Sequence, residues 1–194
     1  MDFLVKTDQI KAAPLRQQRE LRLADLDGIL HAEPPTAFRA AAATTLGTRL
    51  ERVNERDIVF EGDAELRVET DCKRCLAAVP LEIPLHFLLD LVDRDKVADL
   101  VANAAGDDDG DGEIGGSFAA DDANQILYSG REIDLAPIVR EQILLALPMD
   151  SLCRDDCKGL CQVCGLNLNE GACSCDQHVP DPRWAGLKGI KIDR

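Results

Sequence analysis

All eight cysteines of the chain fall in two clusters whose spacing suits metal coordination. Cys153, Cys157, Cys161, Cys164, Cys173 and Cys175 lie within residues 153–175, and Cys72 and Cys75 form an earlier Cys-x2-Cys pair around Lys73 and Arg74. Two thiolates at that spacing converge on one tetrahedral ion, and Gly165, directly after Cys164, relieves the tight backbone of such a knuckle. Zn2+ is the expected ion, one or two per chain. Two filled four-sulfur sites would each contribute roughly 10–16 kcal/mol of apparent binding free energy to folding. The simplest division joins Cys72 and Cys75 to Cys153 and Cys157, and Cys161 and Cys164 to Cys173 and Cys175. A one-zinc arrangement, or His178 in place of one sulfur, stays open at this point.

Other uses of the cysteines are less consistent with the surrounding residues. The opening Met1-Asp-Phe-Leu-Val-Lys has no secretory pattern, and no run of eighteen or more apolar residues occurs, so a reducing cytoplasm and no membrane contact are expected. Disulfides do not suit that compartment. Cys72 and Cys75 are the alternative redox dithiol, with Lys73 and Arg74 to lower a thiol pKa. Such pairs open a helix after a strand, whereas here both flanks alternate like strands. Another metal or an iron–sulfur cluster is a further alternative. Four-sulfur sites leave no position for a catalytic water, and His31, His86 and His178 are scattered, with no Ser-His-Asp set, phosphate loop or dinucleotide fingerprint. The expected protein is not an enzyme and takes no small-molecule substrate.

The elements that must position these sulfurs are mostly strands. Period-two alternation runs from about residue 38 to 92, and in residues 64–70 Leu66 and Val68 alternate with Glu65, Arg67 and Glu69, as in a sheet with one wet face. Asn54-Glu-Arg-Asp and Gly62-Asp read as turns, and Cys72 and Cys75 as a turn between two strands. Before residue 33, where Phe3 and Val5 share a side, strands or a short helix both fit. Residues 94–122 break the pattern with a helical candidate over 95–105 and an acidic, glycine-rich loop. That loop matches calcium-loop positions at Asp107, Asp109, Asp111, Gly112 and Ile114, but Phe118 stands where the bidentate glutamate belongs, so a solvated linker is expected. Ile126-Leu-Tyr reads as one more strand. Asp134 then caps a helix over 135–147, with Pro137 in its first turn and Pro148 after its end. Leu135, Ile138, Val139 and Gln142 mark one face of it, and Ile143-Leu-Leu-Ala-Leu makes its end apolar almost all round, which predicts burial between the sheet and the cysteine module. The expected fold is α+β: an antiparallel β-rich region (1–93), an acidic loop (94–122), then a helix, a zinc-bound cysteine module and a basic tail (123–194).

Charge restricts the partners. With 22 basic and 36 acidic residues the formal net charge is −14, which repels nucleic acid and anionic membranes and favours basic proteins. Any RNA contact must be local. The tail holds Arg183, Trp184, Lys188 and Lys191, which read either as a docking segment or as a basic-aromatic contact for RNA. A zinc-ribbon nucleic-acid-binding regulator is a further alternative, though such recognition surfaces are usually basic.

Four motifs in order resemble the YceD family of bacteria and plastids, the large ribosomal RNA subunit accumulation proteins. They are Cys72-Lys-Arg-Cys75-Leu76; Glu132-Ile-Asp-Leu with Val139-Arg-Glu-Gln-Ile-Leu-Leu-Ala-Leu-Pro; Cys157-Lys-Gly-Leu-Cys161-Gln-Val-Cys164-Gly165-Leu-Asn-Leu-Asn169; and Asp181-Pro-Arg-Trp184. The resemblance covers most of the chain but not the acidic loop. It implies a non-enzymatic factor for large-subunit ribosomal RNA accumulation or assembly, acting on the large-subunit precursor; the charge balance then makes a basic ribosomal protein the expected direct partner, with the tail touching ribosomal RNA. It also implies a scaffold role for Cys161, Cys164, Cys173 and Cys175.

Overall fold

The computed structural model describes residues 3–11, 13–54, 57–94, 125–175 and 183. Its secondary structure begins with β1 (Leu4–Lys6), a 3-10 turn (Thr7–Gln9), β2 (Leu15–Leu21) and α1 (Leu23–His31), so strands and a short helix share the N-terminal stretch. There follow β3 (Arg39–Ala40), β4 (Thr44–Arg52), β5 (Asp57–Asp71) and β6 (Ala78–Asp93), then β7 (Gln125–Tyr128), β8 (Glu132–Asp134) and α2 (Ala136–Ala146). The predicted 95–105 helix and the acidic loop with its calcium-loop positions, Asp107 to Phe118, lie outside the described residues.

The described chain divides into two compact units. One takes the described residues of Met1–Thr70 and Pro80–Met149, the other those of Asp71–Val79 and Asp150–Arg194. In the first unit a six-stranded sheet runs in the order β2-β4-β5-β6-β7, with β3 also on β5, and β1 pairs with β8 in a separate two-stranded sheet. The alternation that predicted these strands sets their two faces. Ile58, Phe60, Leu66 and Val68 of β5 and Ile83, Leu85, Phe87, Leu89 and Leu91 of β6 enter one buried cluster with Leu26 and Leu30 of α1 and Val139 and Ile143 of α2. Burying such side chains is worth roughly 1.5–3 kcal/mol each. The opposite face is solvated and partly charge-paired, with Arg49 on Glu61 at 3.3 Å and Arg67 on Glu82 at 3.5 Å.

Two details of the sheet and one of the helix refine the expectations. Within residues 1–93 the pairs β2–β4, β3–β5 and β4–β5 are antiparallel, as expected, and the sheet becomes mixed at β7, which lies beyond that region and runs parallel to β6. A parallel neighbour needs a long crossover, and the chain between Asp93 and Gln125 is long enough to return in the same direction. Gly62-Asp63 is no turn; both lie inside β5. A Cβ on Gly62 would stand 2.2 Å from the Phe87 ring, so this glycine serves a close approach across the sheet and not a reversal of the chain. The burial predicted for the apolar end of α2, finally, fails at one position: Ile143 is fully buried, but Leu145 is 72% exposed.

The start of α2 needs help because the first turn of a helix has no internal acceptors for its N–H groups. The Asp134 carboxylate takes the Ala136 N–H at 2.9 Å, as the sequence predicts; Leu135 already has helical backbone angles, and the helix proper begins at Ala136. The Leu135 N–H reaches back to the Phe3 carbonyl at 3.1 Å, and β1 pairs antiparallel with β8 next to it. Proline also falls where strand physics allows it. Pro80 and Pro84 lie in the part of β6 that β7, paired only to residues 90–93, does not reach.

Candidate metal centre

The described residues of the second unit bury little apolar surface. Its buried side chains among the described residues are Cys72, Cys75, Val79, Ser151, Cys157 and Cys161, and none of them joins the hydrophobic cluster of the sheet. Something other than apolar burial must hold this segment in one shape.

Two turns of identical hydrogen bonding carry half of the sulfurs. In the first, on the connection between β5 and β6, the Cys72 N–H donates to the Ala77 carbonyl at 2.8 Å and the Leu76 N–H to the Cys72 carbonyl at 2.9 Å. The second repeats this at matching positions: Cys161 N–H to the Leu166 carbonyl and Gly165 N–H to the Cys161 carbonyl, both at 2.8 Å. The residue after the second cysteine is left-handed in both, Leu76 at φ 59° and Gly165 at φ 74°. Glycine takes that conformation freely, but a leucine pays roughly 1–2 kcal/mol for it.

Backbone bonds lace residues 150–160 to the first turn. The Lys73 N–H donates to the Ser151 carbonyl and the Leu160 N–H to the Arg74 carbonyl, each at 3.0 Å. The Arg74 guanidinium donates to the Cys157 carbonyl at 2.9 Å, and the Lys73 ammonium pairs with Asp150. Lys73 and Arg74 thus tie the segment together through these bonds. Gly159 allows the closest approach: its φ is 76°, and a Cβ there would stand 3.0 Å from the Arg74 carbonyl oxygen. Gly159→Ala is expected to destabilise this unit and Leu76→Gly to stabilise it by about 1 kcal/mol, opposite signs that amide hydrogen exchange of residues 72–77 and 157–166 would read.

The sulfurs form two groups: Cys72, Cys75, Cys153 and Cys157 in one, Cys161, Cys164, Cys173 and Cys175 in the other, with all ligand atoms of a group within 4.8 Å of one another. In the first group the Cys72–Cys157 sulfurs are 3.8 Å apart and the Cys75–Cys153 sulfurs 3.5 Å. A disulfide needs ~2.0 Å, whereas the edge of a tetrahedron with metal–sulfur bonds of ~2.3 Å is ~3.8 Å. The spacing therefore fits one ion per group, and a multi-iron cluster would need the sulfurs wider apart. Cys72 and Cys75 each have a near sulfur partner from residues 153–157, so they do not stand apart as an isolated dithiol.

Local electrostatics point the same way. Burial pushes the Cys72 thiol up, but the backbone N–H groups of Cys153, Cys75 and Arg74 aimed at its sulfur outweigh that and bring it down to about 6. The N–H groups of Cys164 and Val163, helped by the Cys173 side chain, bring Cys161 to about 6 as well. Cys153 is pushed up to about 12, first by the Cys75 side chain, and Cys175 to about 12, first by the Cys164 side chain. Each group thus holds a sulfur ready to ionise beside one that resists adding a further negative charge. A divalent cation removes that conflict, and N–H donors to sulfur are the outer contacts that tune a thiolate site.

Sequence reasoning missed Asn169, whose Nδ2 donates to the Cys157 sulfur at 3.3 Å. The sequence carried it only as the last residue of the third family motif, where Asn167 and Asn169 alternate with leucines, and gave it no role. Of the tail residues, Arg183 is described and exposed, while Trp184, Lys188, Lys191 and the alternative ligand His178 lie outside the described residues. No helix among the described residues is long and apolar enough to cross a membrane.

A β-rich protein with a separate module of two four-cysteine groups is the class that fold and site define. The profile of the family described as Large ribosomal RNA subunit accumulation protein YceD matches residues 60–191, and the chain belongs to that family. It is 32% identical over 130 residues to the chloroplastic Large ribosomal RNA subunit accumulation protein YCED homolog 1 of Zea mays, covering 60% of this chain and 43% of that one. The Arabidopsis thaliana protein of the same name is 31% identical over 61 residues, 31% of this chain and 19% of its own. An uncharacterized protein of Mycobacterium bovis is 26% identical over 151 residues, 78% of this chain and 63% of its own. The chain thus spans less than two thirds of the length of each of these relatives. No solved structure matches it.

Proposed function

We propose that the chain is a non-enzymatic factor for large-subunit ribosomal RNA accumulation, acting in the cytoplasm on the large-subunit precursor, with Zn2+ held by its eight cysteines. The family membership supports the role, and the two closed four-sulfur groups carry the rest: they suit an ion that shapes a surface and leave it no open position for chemistry. Zinc is favoured over other ions because an all-thiolate tetrahedral set suits a borderline-soft ion with no geometric demand of its own.

The charge supports a basic ribosomal protein as the direct partner. The solvated face of the sheet carries Glu61, Asp63, Glu65 and Glu69 on β5 and Glu82 on β6, beside the counter-ions Arg49 and Arg67, within a chain of net charge −14. In this reading Arg183, Trp184, Lys188 and Lys191 supply a local contact to ribosomal RNA. Gradient sedimentation of the tagged protein from its own cells is the test, with the RNA and proteins of each fraction identified. Migration with large-subunit precursors, released by salt but not by RNase, is expected for contact through a basic protein. A peak only at the top of the gradient, free of ribosomal proteins and RNA, would defeat the reading.

A further inference from the structure

Asn169 lies in the loop whose ends are Cys164 and Cys173, both in the second sulfur group, yet its side chain is spent on the first. Its Nδ2 donates to the Cys157 sulfur at 3.3 Å and to Asn167 Oδ1 at 2.9 Å. Its Oδ1 accepts the Lys158 N–H and an Arg154 guanidinium N–H, each at 2.8 Å. Arg154 and Lys158 are the neighbours of Cys153 and Cys157, so one amide grips the segment that supplies two sulfurs of the first group. The loop is seated by the Leu168 N–H on the Gly159 carbonyl at 2.9 Å and by the Leu160–Asn167 bridge. A cation held by Cys161, Cys164, Cys173 and Cys175 would tie its two ends together.

We infer that Asn169 is a positioning residue that couples the two sites, so that filling the 161/164/173/175 group strengthens metal binding at the 72/75/153/157 group. The inference rests on the metal reading above. An N–H donated to a coordinated thiolate disperses its charge and fixes its direction, and loss of such an outer contact costs roughly 10–100-fold in metal affinity. With the second site empty, the loop has freedom that must be lost before Asn169 can donate, and the first site weakens accordingly. Thermodynamic linkage makes the coupling reciprocal.

The test uses the full-length chain loaded with cadmium, whose NMR resonance from each four-sulfur site is followed as a chelator is added. Expected for Asn169→Ala is that the 72/75/153/157 site empties at roughly 10–100-fold less chelator, and that the state of either site no longer shifts the midpoint of the other. Disabling the second site with Cys164→Ser and Cys173→Ser should weaken the first by a comparable factor, and adding Asn169→Ala to that pair should weaken it little further. Asn169→Asp keeps the acceptor but has no N–H to donate, so it should weaken the first site as Ala does. Wild-type midpoints in either Asn169 variant, or full multiplication of the effects in the triple variant, would overturn the coupling. Should the wild-type chain give no thiolate-bound cadmium resonance at all, the metal reading itself fails, a result distinct from loss of coupling.

Discussion

Removing the metal is expected to unfold residues 71–79 and 150–175 while the sheet keeps its structure. The expectation follows from what each unit buries. The sheet has its own cluster, from Phe60, Leu66 and Phe87 to Val139 and Ile143, whereas the cysteine unit buries four cysteines, Val79 and Ser151 among its described residues. With two ions each contributing roughly 10–16 kcal/mol of apparent binding free energy, their loss exceeds what the backbone bonds of the two turns can replace. The four sulfurs of each group would then stand close together with nothing to balance their charge. Amide resonances of residues 72–77 and 151–170 should collapse toward random-coil positions on chelation under reducing conditions, and return when Zn2+ is added back. Acidification should act in the same direction, because protons compete with the metal for thiolates. Retention of all these resonances in metal-free protein would show that backbone hydrogen bonding alone holds the unit.

The second large effect belongs to the sheet. Gly62→Val is expected to destabilise the sheet unit by about 1–3 kcal/mol or more, since a side chain there enters the space of the Phe87 ring. That ring packs edge-on to Phe60, with centroids 5.2 Å apart and planes at 69°, so it cannot retreat without losing a contact worth roughly 0.5–1.5 kcal/mol. The penalty should be largely suppressed in Gly62→Val with Phe87→Leu, where the smaller side chain vacates the volume. Urea denaturation followed by a probe in the sheet would measure both. A Gly62→Val variant as stable as wild type would mean that the Phe87 ring has room to move aside.

How far the sequence reached depended on the range of the interaction being read. Strands β4 and β6 and helix α2 were legible because their burial follows a local period, two or 3.6 residues, and one face of each meets the core. The cysteine knuckles were legible for a similar reason: Cys-x2-Cys is a local geometry, closed by bonds between residues five or fewer apart, as in the Cys161–Leu166 turn. Gly62 was misread because a glycine beside an aspartate signals a turn from sequence, and only the position of a ring twenty-five residues further on shows the other use of a missing side chain. The parallel course of β7 escaped in the same way, since strand direction depends on where a long connection comes back.

Residue types and spacing by themselves determined that this chain builds a one-faced sheet, a capped helix and turns able to present paired thiolates, because each is a property of neighbours along the chain. They also carried the family resemblance. Spacing also offered, as the simplest of several divisions, the two sulfur groups found; tertiary structure decided between those divisions, with Cys72 at 3.8 Å from Cys157 and Cys75 at 3.5 Å from Cys153. It alone showed that Arg74, Gly159 and Asn169 brace those sulfurs. Such contacts join residues up to 85 positions apart, and no period along the chain encodes them; they exist only once the chain has closed on itself.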